Sequence, residues 1–270
     1  MGEIKAEPEI VLGTSVMILD DLFGNGLKTL LTEGAKGTSW TIAGKDTQVL
    51  ATTLDPGQEV HCEPGSMMFM HKDMGQEVDC GCDTCWARCC SGESCVKTIY
   101  KNEGARKAYI GFSPRYPSNV IPVDLKMIRG ETFTAKPGAY MANIGPSEVS
   151  YSFHCFNLEC LCCSGLGCVR QELSGTGTAF LNAAGTILTK ELADGETMIV
   201  DSDSIVGYDS TITTGVRSSG NCTVCCCGGE GCVNSTVTGP GRVFIQSTSF
   251  LKMHAHFAPP SDRDEGSNDN

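Results

Sequence analysis

Apolar and polar side chains alternate in three matched stretches of this chain. In GQEVHCEPGSMM from Gly57, GETFTAKPGAYM from Gly130 and GETMIVDSDSIV from Gly195, one face carries Val60 and Cys62, Phe133 and Ala135, and Met198 and Val200. Polar residues mostly fill the other face, and a period of two is that of a half-buried strand. The stretches align without gaps, and each is followed at nearly the same distance by a cysteine octet: CCSGESCV at 89–96, CCSGLGCV at 162–169 and CCGGEGCV at 226–233. Self-similarity at such a period predicts one supersecondary unit used three times. Further β-patterned runs, AFLNAAGTILTKEL and RVFIQSTSFLKM, follow glycine pairs at Gly175 and Gly177 and at Gly239 and Gly241. Each unit therefore reads as a β-meander with glycine-marked turns, and Pro64-Gly65 and Pro137-Gly138 mark bends.

Three equivalent sheets bury their apolar faces best around a common centre. The predicted fold is all-β: a pseudo-threefold barrel or prism of three β-meander repeats over residues 38–257, divided at about 38–115, 116–182 and 183–257. The octets, at equivalent positions, are expected on one rim. Residues 1–37 form an N-terminal extension, partly helical, because the apolar positions 18, 19, 22 and 23 and then 27, 30 and 31 suit a short helix broken by Gly24 and Gly26. This extension caps the domain or mediates assembly. The segment 258–270, APPSDRDEGSNDN, is polar, acidic and unpatterned and reads as a disordered tail.

Composition narrows the functions. A net charge of -12 is the wrong sign for a phosphate-binding surface, so no nucleic-acid partner is expected. No apolar run is long enough for a spanning helix. The start, MGEIKAEPEIVLG, has neither a basic-then-apolar leader nor an Arg-rich transit character, which points to a cytoplasmic protein. A mitochondrial or extracellular location then requires a route not visible in the sequence.

Seventeen cysteines change the picture most. Cys62 stands apart and aligns with Ala135 and Val200, as a small core residue does. The rest segregate into three loops: Cys80, Cys82, Cys85, Cys89, Cys90 and Cys95; Cys155, Cys160, Cys162, Cys163 and Cys168; and Cys222, Cys225, Cys226, Cys227 and Cys232. C-x-C, C-x-x-C and C-C spacings on short glycine-containing loops let several thiolates converge at about 2.3 Å on one soft ion, zinc being the expected metal. Disulfides knitting loop to loop in an extracellular or wall-associated assembly are the alternative, in which the sequons at Asn221 and Asn234 gain meaning. Thioacylation of the loops, tethering the protein to a membrane, is a second alternative and the one route to a membrane partner. Trp86 lies inside the first loop, where it would shield thiolates from water.

Other candidates are weaker. His254 and His256 in KMHAHF share a face of an expected strand, and Asp201 and Asp203 read as a solvated turn. His61 and His154 adjoin Cys62 and Cys155, but neighbours in a strand point to opposite faces. Trp40 is expected to pack in the domain. No nucleophile elbow, phosphate loop or HExxH pattern occurs, so no catalytic and no cofactor-binding residue is assigned.

LDPGQEVHCEPGSMMFM at 54–70, IGFSPRYPSNVIPVDL at 110–125, GTAFLNAAGTILTKELADGETMIVDSDSIVGYDSTI at 177–212 and GPGRVFIQS at 239–247 resemble the altered-inheritance-of-mitochondria, or mitochondrial biogenesis, family. The resemblance covers about residues 40 to 255. It implies a fold like that of the tryptophan RNA-binding attenuator protein, assembly of the chain with itself into trimers or larger rings, and no enzymatic activity. The departure lies in the octets, where Cys95, Cys168 and Cys232 replace a leucine usual in the family. The resulting expectation is a non-catalytic homo-oligomeric scaffold or interaction protein with a metal-binding, Cys-rich rim.

Overall fold

The computed structural model describes residues 17–22, 26–80, 96–153, 169–218 and 233–257. Its first two elements are β1 (Met17–Leu22) and β2 (Leu27–Leu31), an antiparallel pair with Met17 opposite Leu31. This corrects the expected short helix. Apolar positions so closely spaced fit either element, and β2 is claimed as a strand by β15 (Thr178–Leu192), with Leu30 buried opposite Ile187.

The chain continues in β3 (Trp40–Ala43), β4 (Val49–Leu54), β5 (Glu59–Cys62) and β6 (Met67–Met70), the last two carrying the first matched stretch, and then β7 (Met74–Asp79), β8 (Lys97–Asn102) and β9 (Ala108–Phe112). The second follows in β10 (Asn119–Asp124), β11 (Phe133–Ala135), β12 (Tyr140–Ile144), β13 (Ser147–Phe153), β14 (Val169–Gly175) and β15. The third continues through β16 (Thr197–Val200), β17 (Ile205–Asp209), β18 (Thr213–Ser218), β19 (Val233–Thr238) and β20 (Gly241–Thr248). Helix α1 (Phe250–Phe257) ends the described chain.

All strand pairs are antiparallel. A thirteen-stranded sheet runs β13-β14-β11-β17-β20-β15-β12-β5-β8-β7, with β10, β2 and β1 attached beside this path. A four-stranded sheet runs β3-β4-β9-β6, and a three-stranded one β16-β19-β18. Among the described residues no barrel closes, which corrects that part of the expectation: each sheet ends on a strand with a free edge.

The alternation read from the sequence sets the burial. Val60, Cys62, Phe133, Ala135 and Val200 are all buried, the first four in one cluster and Val200 in a second, against which Met198 packs. Most of the core is one cluster that includes Ile42, Leu54, Ile110, Phe112, Ile121 and Phe180, each fully enclosed. Each large apolar side chain so buried contributes roughly 1.5–3 kcal/mol. Trp40 is in this cluster, edge-on to Phe180 with ring centroids 5.2 Å apart. A smaller cluster joins Leu192, Val200, Ile205, Tyr208, Ile212, Val237 and Val243.

Strand β15 belongs to two groups of neighbours. Its first half pairs with β10 and β12, its second with β2 and β20. Between them sits Gly185 at φ +70, where an added Cβ would meet Ser247 Oγ at 2.2 Å. The left-handed backbone and the close approach both demand glycine there. The boundary read at 182/183 falls inside this strand.

Candidate functional site

The cysteine-rich segments are all hairpin connections. Asp79 at the end of β7 is opposite Lys97 of β8, Phe153 of β13 opposite Val169 of β14, and Ser218 of β18 opposite Val233 of β19. In each case the chain leaves and re-enters a sheet at adjacent positions, about 5 Å apart. Cys80 follows β7 directly and is exposed. Cys82, Cys85, Cys89, Cys90, Cys95, the five cysteines at 155–168 and the five at 222–232 lie outside the described residues, as do Trp86, Asn221, His154 and the tail. Among the described residues no three His, Cys, Asp or Glu side chains stand together as a metal site. Cys62 is buried, and burial pushes its thiol up to about 11 despite a hydrogen bond with Ser66.

Sequence reasoning passed over a cleft of about 500 Å³ where β5 meets β12. His61 lies opposite Asn143 in the ladder, and both line it with Ser39, Glu59 and Pro146. His61 points away from buried Cys62, as strand neighbours do. Burial, then the charge of Lys97, holds the His61 imidazole below its ordinary value, with Glu59 opposing. Its Nε2 is 3.9 Å from Glu59 Oε2, while Glu59 is paired with Lys101 at 2.8 Å. The Tyr140 hydroxyl donates to Asn143 Oδ1, and Asn143 Nδ2 donates to Ser147 Oγ at 2.5 Å. The Asn143 amide is thus fixed, and the His61 imidazole opposite it is held toward its neutral form.

The corresponding place between β11 and β17 is filled. Thr134 is opposite Tyr208, and Arg170 of β14 enters beside them, 6% exposed. Arg170 Nη1 donates to the Tyr208 hydroxyl and, at 3.0 Å, to Thr214 Oγ1, with the guanidinium 5.9 Å from the Tyr208 ring centre. Burial raises the Tyr208 hydroxyl, and Arg170 opposes this. The gapless alignment of the matched stretches sets His61 over Thr134. It says nothing of cross-strand partners, and so the cleft was not legible.

Two weaker candidates resolve. His254 and His256 lie in α1, not in a strand. Ser249 starts the helix by accepting the Lys252 amide at 3.1 Å. Asp201 caps the 3-10 turn Ser202–Ser204 and pairs with Lys252 at 2.5 Å, and Asp203 pairs with Lys136 at 2.9 Å. These carboxylates face lysines, which gives a cation no reason to bind.

Open antiparallel sheets, glycine turns and hairpin-borne insertions define an all-β protein, and no helix among the described residues is long and apolar enough to cross a membrane. The family profile "Mitochondrial biogenesis AIM24" matches residues 40–248, so the chain belongs to that family. No curated protein matches it. The fold is similar to the crystal structure of protein SPYM3_0169 from Streptococcus pyogenes, with a TM-score of 0.64 and 21% identity over 80% of this chain and 96% of that one.

Proposed function

We propose that the domain is three copies of one six-stranded unit, and that it is a non-catalytic scaffold, assembled with itself, whose hairpin tips bind zinc through cysteine thiolates. The pairings support the copies. The unit's first and last strands pair as β4 with β9, β10 with β15 and β15 with β20. Its third strand joins the last as β6 with β9, β12 with β15 and β17 with β20. Its second strand joins the fifth as β5 with β8, β11 with β14 and β16 with β19.

One observation carries the metal reading: all three cysteine-rich segments close hairpins at paired residues. A loop clamped at both ends keeps its five or more cysteines within a small volume, so the entropy of gathering four ligands is partly met by the fold. Each hairpin then suffices for a site, and convergence on a common rim adds bridging between them. Thiolate ligation requires a reducing compartment, the cytoplasm or the mitochondrial interior. The acidic charge argues against nucleic acid as a partner.

The test is elemental analysis with thiol titration on protein purified anaerobically. Zinc at a stoichiometry of at least one per chain, lost on serine substitution of the octet cysteines, supports the reading. Metal-free protein with almost no titratable thiol before reduction overturns it in favour of disulfides. Hydroxylamine-labile mass additions overturn it in favour of acylation.

A further inference from the structure

Arg170 is a buried cation with no anion beside it. It is 6% exposed, and among the described residues no carboxylate stands within ion-pair distance of it. A guanidinium keeps its charge at any pH the fold survives, and charges carried inside a protein are paired. Arg242 shows the ordinary case, its Nε 3.0 Å from Asp209 Oδ2. Glu172, two residues along β14, reaches Tyr208 with its charge but makes no ion pair with Arg170. The Tyr208 ring, 5.9 Å from the guanidinium carbon, is at the outer limit of a cation–π contact and replaces only part of the lost solvation.

The hydrogen bonds leave the same deficit. Arginine offers donors only. Nη1 spends its protons on the Tyr208 hydroxyl and on Thr214 Oγ1, whereas Nε is enclosed and has no partner among the described residues. Thr214 has the Tyr208 oxygen within reach, so one hydroxyl proton can be spent between the two and the other is left over. Surplus donors, one of them on a charged group, call for a ligand that only accepts. The sequence register agrees. The residue after each octet is Lys97, Arg170 and Asn234. Lys97 has Asp79 directly across its ladder, and Arg170 has Ser152 in that place. The cation is kept, and the acid across from it is not.

We propose that Arg170, with Tyr208 and Thr214, binds a small oxyanion of the size of phosphate. The guanidinium supplies the charge and the Nε proton, and the left-over hydroxyl donates beside it, the charge-assisted bonds that hold oxyanions elsewhere. Several acceptor oxygens on one centre suit donors that come from two side chains. The place is otherwise filled by Arg170 itself, which restricts the ligand to a single free ion. Strand β13 ends its sheet and among the described residues pairs only with β14, so the strand beside Arg170 is held on one side. Such a strand opens at lower cost than a central one, and that opening admits the ion. The site goes beyond the scaffold reading and uses none of its cysteines.

The test is calorimetric titration of the full-length chain, in reductant and freed of oxyanions in a chloride buffer, with inorganic phosphate. Wild type is expected to saturate at one ion per chain. R170M is expected to bind none, and R170K and Y208F, which alter the site less and guard against a misfolded R170M, to bind about tenfold more weakly. Glycerol phosphate is expected to bind more weakly than the free ion. Absence of saturable phosphate binding to wild type overturns the proposal, and so do R170K and Y208F proteins that bind as tightly as wild type. Glycerol phosphate binding as tightly as phosphate overturns the assignment to a free ion. Titrations with and without chelator are expected to agree, so loss of the metal reading leaves this one standing.

Discussion

Arg242 grips both carboxylate oxygens of Asp209, which has no exposed surface. Its Nε donates to Oδ2 at 3.0 Å, its Nη2 to Oδ1 at 3.1 Å and its backbone amide to Oδ2 at 3.1 Å. The same Nη2 donates to the Met127 carbonyl at 2.9 Å, so β20, β17 and the chain after β10 are tied at one point. A planar fork matched to a carboxylate is the use that only arginine serves.

Removing one partner leaves the other charged, buried and unpaired. D209N and R242M are each expected to lose about 3–5 kcal/mol of stability. The double variant is expected to lose much less than the sum, and urea unfolding of the four proteins measures the coupling.

His61 gives the protein an acid-side weakness. Its imidazole is harder to protonate folded than unfolded, where it titrates near about 6.5. Stability is therefore full above that value and falls as pH drops toward the lower folded one. Replacing His61 with Asn is expected to flatten the dependence of the unfolding midpoint between about pH 7 and 5, read by thermal melts across that range.

Cys62 acts at the other end of the scale. With its thiol at about 11 in the fold against 9.0 for a solvated thiol, the unfolded chain ionises first, so stability falls as pH rises from 9 toward 11. At pH 8 native protein, Cys62 is expected to resist alkylation that modifies Cys80, as peptide mass mapping would report. Equal labelling of the two would contradict its enclosure.

At Gly185 an alanine is expected to cost about 1–3 kcal/mol, from left-handed strain and from displacing Ser247. Gly57 also has a positive φ, but nothing lies within 4 Å of its added Cβ. G57A should therefore cost less than G185A, and denaturant melts of the pair separate strain from crowding.

Alternation at Val60 and Cys62, or at Phe133 and Ala135, was enough to read strands and to say which side is buried. The octets were legible as connections because glycine and cysteine interrupt that alternation. What failed did so for want of tertiary partners. Ile18, Leu22 and Leu30 fit a helix or a hairpin equally, and the ladder to β15 decided for strand. The strand pattern of RVFIQST ends at Thr248, and Ser249 as a cap was the unread signal for α1. His61 opposite Asn143 and Arg170 beside Tyr208 depend on pairings between distant segments, which no local pattern records.

Because β15 runs unbroken from Thr178 to Leu192 while serving two groups of neighbours, the chain offers no clean place to be cut there. A fragment ending near Ala183 would strip β2 of its companion, because β2 pairs with Ile187–Lys190, and one starting there would leave that half of β15 without β2. The two groups of neighbours share a single backbone bar, and so they are made and degraded together.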